Sequence, residues 1–200
     1  MTFPQFAFSN GDYLECVEET KLLGIILNSS LSWDLNTANM VTRAMSKMWL
    51  LRRMKLLKLE PIIILDYYVK EIRVLAEQGV PIWNSGLTKG QVKDLEKIQK
   101  VALKIILNDE YQSYEVACDI FNMQTLSQRR LELSTNFAVK LYRSERSSEF
   151  FTHSRSGQRT RGDPQLVVEE QCRTKRFYNA PHNYLARLVN NNQARIKSTL

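Results

Sequence analysis

The sequence predicts a mainly α fold: a small N-terminal antiparallel β-hairpin element, then a bundle of four to five helices, then a partly ordered basic tail. Three observations carry that reading. Short apolar segments broken by Asn10-Gly11, Gly24 and Asn28-Ser29-Ser30 fill the first 33 residues, as strands and tight turns require. From residue 34 to about residue 141, apolar residues recur at intervals of three and four, the period of a helix face. Beyond residue 143 that period lapses while positive charge accumulates. Residues 1–142 carry 17 Lys and Arg against 16 Asp and Glu, whereas residues 143–200 carry 11 against 5. The predicted units are therefore a β element over 1–33, a helical domain over 34–142, and a basic linker and tail over 143–200. A neutral body with a basic tail points the tail towards a polyanion.

In the β element, Asn10-Gly11 separates two apolar stretches, 3–8 and 13–17, which is a hairpin signal. Leu22 to Leu27 reads as a buried strand closed by a turn at Asn28-Ser29-Ser30. Gly24 inside it leaves room for a backbone or ligand to approach. After Trp33, the stripe Val41, Ala44, Met45, Met48 and Leu51 predicts a helix over about 34–54. Six bases and no acid lie between Asp34 and Glu60. Among them Arg43 and Lys47 share a face, and Arg52 falls close enough to the stripe to predict an end or bend there. Pro61 suits a first-turn position, with Leu65, Tyr68, Ile72 and Leu75 as the next stripe, ended by Gly79 and Pro81.

Thr88-Lys89-Gly90-Gln91 and Thr125-Leu126-Ser127-Gln128 are capping boxes, in which each side chain satisfies an amide the helix leaves free. The first opens a helix over 89–107 with Leu95, Ile98, Ala102, Ile105 and Ile106 on one side. Lys93, Lys97, Lys100 and Lys104 fall in one line on the other. The second opens a helix with Leu126, Arg130, Leu133, Phe137 and Leu141 in register, Arg130 being at its edge or paired. A short helix over 113–121 is expected between them. Residues 144–164 read as a linker or mobile loop, 165–168 as a short strand and 184–189 as a short helix. Trp33, Trp49, Tyr67, Tyr68 and Trp83 lie among apolar neighbours and read as core.

Chemistry is sparse. Cys16, Cys118 and Cys172 make neither a disulfide framework nor a zinc spacing, and His153 and His182 are isolated. The three cysteines read as free thiols in a reducing compartment, so the expected location is intracellular, in the nucleus or cytoplasm. The first residues lack the blocks of a secretory leader, and no apolar run is long enough for a bilayer. There is no Gly-rich phosphate loop and no recognised nucleophile motif. The expectation is no enzyme activity, no metal, no small-molecule cofactor and no membrane partner. The lysine line remains. Four lysines spread over about 16 Å of helix could track phosphates spaced about 3.4 Å apart, although a solvated polar face has the same pattern.

Residues 21–33 also resemble a known family. Lys21-Leu22-Leu23-Gly24-Ile25 with Leu31-Ser32-Trp33 looks like the hairpin after the palm of non-LTR (LINE-type) retrotransposon reverse transcriptases. The likeness continues through Ile72-Arg73, Glu77-Gln78-Gly79-Val80-Pro81-Ile82-Trp83, Gly86-Leu87-Thr88, Leu95-Glu96-Lys97-Ile98-Gln99-Lys100, Tyr111-Gln112-Ser113-Tyr114, Leu126-Ser127-Gln128-Arg129-Arg130 and Tyr184-Leu185-Ala186-Arg187-Leu188-Val189-Asn190. The resemblance implies a primer-grip-like role for Leu22, Leu23, Gly24 and Ile25. It implies a thumb that holds an RNA–DNA or DNA duplex with Arg43, Lys47, Lys93, Lys97, Lys100 and Lys104. Palm and fingers would be the missing portion, and with them the adjacent aspartates that a two-metal polymerase needs. No Asp-Asp pair occurs here, and Glu18-Glu19 reads as a solvated turn. The expected function is thus the nucleic-acid-binding thumb and C-terminal portion of a LINE-type RNA-directed DNA polymerase, inactive alone. The alternative is an element-derived helical protein-interaction module. At Ala76-Glu77-Gln78 the chain departs from the family's Leu-Glu-Tyr, which predicts looser packing there.

Overall fold

The computed structural model describes residues 11, 17–153 and 166–197; the turn expected at Asn10-Gly11 and most of its flanking stretches lie outside these. The described chain is mainly helical behind one two-stranded hairpin. Strands β1 (Glu19–Leu22) and β2 (Ile25–Asn28) pair antiparallel, with Leu22 opposite Ile25 and Glu19 opposite Asn28. The single strand expected over 22–27 is therefore corrected: Leu23 and Gly24 are its break, at φ +49° and +87°. Positive φ at both central positions makes this a type I′ turn, and glycine adopts that backbone freely. At Gly24 the approaching group is the side-chain amide of Gln78, which fills the space a Cβ would take and donates to Leu23 O at 2.9 Å. The outer edge of β2 is sealed by Asn36, whose Oδ1 accepts from Ile26 N at 3.1 Å. The turn expected at Asn28 is present, with Asn28 Oδ1 accepting from Ser32 N at 2.8 Å.

Helix α1 (Asp34–Leu56) buries Met40, Ala44, Met48 and Leu51. It continues two residues beyond the expected end without a break, because Arg52 sits on its exposed flank and not in the stripe. Helix α2 (Pro61–Tyr67) begins at the proline as expected. It then widens into a π turn at Tyr68–Ile72 and tightens into a 3-10 turn at Arg73–Ala76. The extra residue of a π turn slips the register by one, so Ala76 and not Leu75 follows Ile72 into the core. Packing at the departure from the family is consequently tight, not loose. Ala76 is fully buried, Gln78 holds the hairpin, and Glu77 pairs with Arg73 and Arg129.

After α3 (Val80–Trp83), helix α4 (Lys89–Leu107) runs parallel to α1. Gln91 Nε2 donates to Asp34 Oδ1 at 2.7 Å at one end, and Lys55 Nζ donates to Ile106 O at 2.7 Å at the other. Gln91 also closes the capping box with Thr88, so one side chain starts α4 and fixes it to α1. Leu95, Ile98, Ala102 and Ile106 are fully buried in the main core, each large aliphatic contributing about 1.5–3 kcal/mol of burial. Helices α5 (Tyr114–Ile120) and α6 (Leu126–Tyr142) follow, the latter from its capping box.

The inward face of α6 differs from the expected stripe. Arg130, Ser134, Thr135, Ala138 and Val139 are buried, whereas Phe137 is exposed. Small residues turn inward because the tail packs there. The short α7 (Ser147–Phe150) and α8 (Lys175–Tyr178) lead to α9 (Pro181–Asn191) and α10 (Gln193–Lys197). Leu185, Ala186, Leu188 and Val189 of α9 join Ala138, Val139, Phe151, Val167 and Ile196 in a second core. The strand expected near 165–168 is a single bridge, Val167 to His153, clamped by the amide of Asn190. Asn84 ties the two cores together: its Oδ1 accepts from Arg130 Nε at 3.1 Å and its Nδ2 donates to Tyr184 OH at 3.3 Å.

Candidate nucleic-acid interface

Helix α4 has two polar faces treated in opposite ways. On its outer face Lys93, Lys97, Lys100 and Lys104 are all exposed, and among the described residues none of them makes an ion pair. Lys100 Nζ lies 4.9 Å above the ring of Tyr114, a contact that holds the cation at the surface without neutralising it. The ridge continues onto α1, where Arg52 and Lys55 share with Lys104 the lining of an open groove of about 640 Å³.

One acid beside the ridge, Asp94, is exposed, and the other is turned inward. Glu96, between Lys93 and Lys100 in sequence, accepts from Tyr114 OH at 2.5 Å, Leu126 N at 2.9 Å, and Ser127 N and Oγ at 3.1 Å each. It therefore caps the N-terminus of α6, where free amides and the helix dipole favour a carboxylate. Arg130 Nη1 lies 3.9 Å from Glu96, too far for a hydrogen bond, so that contact is Coulombic. Burial lowers the Arg130 pKa while Glu96 opposes the shift. Burial, and then the hydrogen bond to Glu96, pushes the Tyr114 phenol well above its ordinary value. Burial likewise raises Tyr68, whose hydroxyl donates to Gln99 at 3.1 Å.

Of the residues expected to bind nucleic acid, the four lysines of α4 are brought into one line. Arg43 and Lys47 are not part of it. Lys47 bonds Glu71 at 2.9 Å, on the flank of α1 opposite the one that carries Arg52, and Arg43 lies one turn before Lys47 on that flank. Of the primer-grip-like residues, Leu22 and Leu23 project from the hairpin, Leu23 at 86% exposure, whereas Ile25 is buried. Ile25 packs so closely on Gly79 that no Cβ fits there. The hairpin and the start of the ridge sit at the same end of the α1–α4 pair, since Asn36 holds the one and Asp34 the other.

Two neighbours of the ridge were not legible as site residues. Trp49, expected in the core, is 59% exposed; it lies one turn before Arg52 and Arg53 on the outer surface of α1. Its position beside Met48 turns it away from the buried stripe by about 100°, the step of a helix. Lys55 was visible only as one base among six. Trp33, Tyr68 and Trp83 are buried as expected. Among the described residues no group of three or more His, Cys, Asp or Glu could hold a metal ion, and no helix is long and apolar enough to cross a membrane. Comparison with protein families, with curated proteins and with solved structures gives no match.

Proposed function

We propose that this chain binds a nucleic-acid duplex, RNA–DNA or DNA, as the thumb-like portion of a LINE-type RNA-directed DNA polymerase, and that it does not polymerise by itself. The observation that carries the reading is the lysine line of α4, which makes no ion pair among the described residues and is continued by Arg52 and Lys55, with Glu96 beside it engaged at the start of α6. Lysines in that state act as point charges that position a phosphate backbone without reading bases. Duplex binding would be paid for by counterion release, so log K should fall linearly with log salt. Palm and fingers of such a polymerase would be the second partner, and the resemblance of residues 21–33 supports the hairpin as their neighbour.

One observation favours a second reading, a helical protein-interaction module. Leu56 and Leu57 are each 73% exposed, and Ile62 and Ile63 also face outward at the corner between α1 and α2. Such a patch marks a contact with protein more than with phosphate. A salt titration of binding to a short RNA–DNA duplex separates the two. A steep negative slope supports the first reading, and binding that is absent or indifferent to salt sinks it in favour of the second. Template-directed extension by the purified chain with Mg²⁺ or Mn²⁺ would overturn the claim that it is inactive alone.

A further inference from the structure

A second concave site lies away from the ridge, where the tail folds back over the start of α1. It is a cavity of about 550 Å³ between the turn after β2, the α3 region and the α8–α9 junction, within the size range of small-ligand sites. Its walls are apolar: Leu27, Trp33, Ile82 and Pro181 contribute to them. Trp33 is held in the wall because Gly86 leaves it space; a Cβ there would collide with the indole. The lip is basic. Lys175 and Arg176 both line it and no acid does. Arg176 spans the mouth by donating to Ser30 O, while Lys175 is exposed and makes no ion pair among the described residues. Asn179 also lines the cavity. Its backbone carbonyl is taken by Ser85 Oγ at 2.6 Å, but its side-chain amide makes no hydrogen bond within the described residues.

An apolar slot, a free amide with one donor and one acceptor edge, and two cations at the mouth match the parts of one ligand class. A flat heteroaromatic base fills apolar walls, its edge hydrogen-bonds an Asn amide, and its phosphate takes the cations. We infer that this cavity receives a single unpaired nucleotide, with the base against Trp33 and Ile82, the base edge on Asn179, and the 5′-phosphate on Lys175 and Arg176. None of Leu22, Leu23, Gly24 or Ile25 lines it, so it is distinct from the hairpin tip. The choice of a nucleotide over another apolar anion rests on the nucleic-acid reading above.

Equilibrium dialysis of the full chain against adenosine 5′-monophosphate tests the inference, with adenosine and dodecanoate as further arms. Saturable binding of the nucleotide, weaker binding of adenosine, and weaker binding of dodecanoate than of the nucleotide are expected. Ile82→Trp, at a half-exposed position, fills the slot and should remove saturable binding with helicity unchanged by circular dichroism. Lys175→Glu, at an exposed position, should weaken the nucleotide by about tenfold, the scale of one lost charge-assisted hydrogen bond, and leave adenosine unaffected. No saturable nucleotide binding at millimolar concentration, binding that survives Ile82→Trp, or tighter binding of dodecanoate would each overturn it. Duplex binding measured on the same samples keeps the two ideas apart. Nucleotide binding lost in Ile82→Trp with the duplex salt slope unchanged assigns the cavity alone, whereas a flat slope with nucleotide binding intact sinks only the ridge.

Discussion

The inner and outer faces of α4 both carry polar groups and use them in opposite ways. Inside, Glu96 and Gln99 are saturated: Glu96 takes four donors from α5 and α6. Gln99 joins Tyr68 OH to Gln124 O, with 3.1 Å and 2.8 Å bonds. Outside, four lysines stand within the same helix with no acid partner among the described residues. A buried polar group left unpaired costs about 1–3 kcal/mol, so the inner set must be complete for the helix to fold. The outer set is hydrated and costs nothing to leave open. The difference separates groups that hold the molecule together from groups available to a partner, and each face can be broken without the other.

The largest effect is expected on the outer face. Replacing Lys93, Lys97, Lys100 and Lys104 together with Gln should lower the slope of log K against log salt by about 0.9 per lost contact on a DNA duplex. Stability should barely change, since Gln is nearly as good a helix former as Lys. Duplex binding followed by fluorescence anisotropy across a salt series, beside thermal melts, checks both halves. An unchanged slope would reduce the ridge to a solvated face.

Next in size is the inner face. Glu96→Ala leaves the Thr125–Gln128 capping box in place but removes the acceptor of Leu126 N and Ser127 N, and it leaves Arg130, at 1% exposure, buried without its counter-charge. Breaking a buried pair on one side costs about 3–5 kcal/mol, which urea unfolding should register. Duplex affinity per folded molecule should not fall, because every ridge cation remains and only an acid beside Lys93 and Lys100 is removed. Loss of stability below about 1 kcal/mol would mean that Glu96 is not holding α6 as its bonds imply.

A smaller effect tests the same face by pH. Tyr68 and Tyr114 have folded-state pKa values raised above their ordinary 10.0, mainly by burial. The folded state therefore keeps protons that the unfolded chain releases. Their contribution is complete below pH 10.0 and is lost progressively as pH rises above it, by about 1.4 kcal/mol per pH unit for each group. Tyr114→Phe should flatten the alkaline fall in stability, measured by urea unfolding from pH 9 to about pH 11. An equal slope in both proteins would place that phenol in solvent.

The smallest effect belongs to the neutralised flank of α1. Lys47 pairs with Glu71 and is half-exposed, and exposed pairs contribute about 0–1 kcal/mol. Lys47→Gln should leave the salt slope of duplex binding where it was. A drop comparable to that of one ridge lysine would move the interface to this flank and reverse the comparison.

How much of this was legible follows from the range of the interactions. Both capping boxes and the line of lysines rest on residues three or four apart, and the start of α2 on Pro61 itself, so the sequence alone determined them. It also determined the helical class, because apolar period and helix geometry share one number. Arg52 and Trp49 were misplaced for a related reason: apolar period marks a stripe but not which neighbours of the stripe a packed partner covers. The tertiary structure alone decided the rest. The π turn that puts Ala76 in place of Leu75 depends on how α2 packs against α1 and α4. The small residues Ser134 and Ala138 face inward because α9 lies against them, a contact some 50 residues away in the chain that no local pattern announces. Whether a lysine is free or paired is of the same kind. Lys47 and Lys97 look alike in sequence, and only the fold brings Glu71 to one and turns Glu96 away from the other.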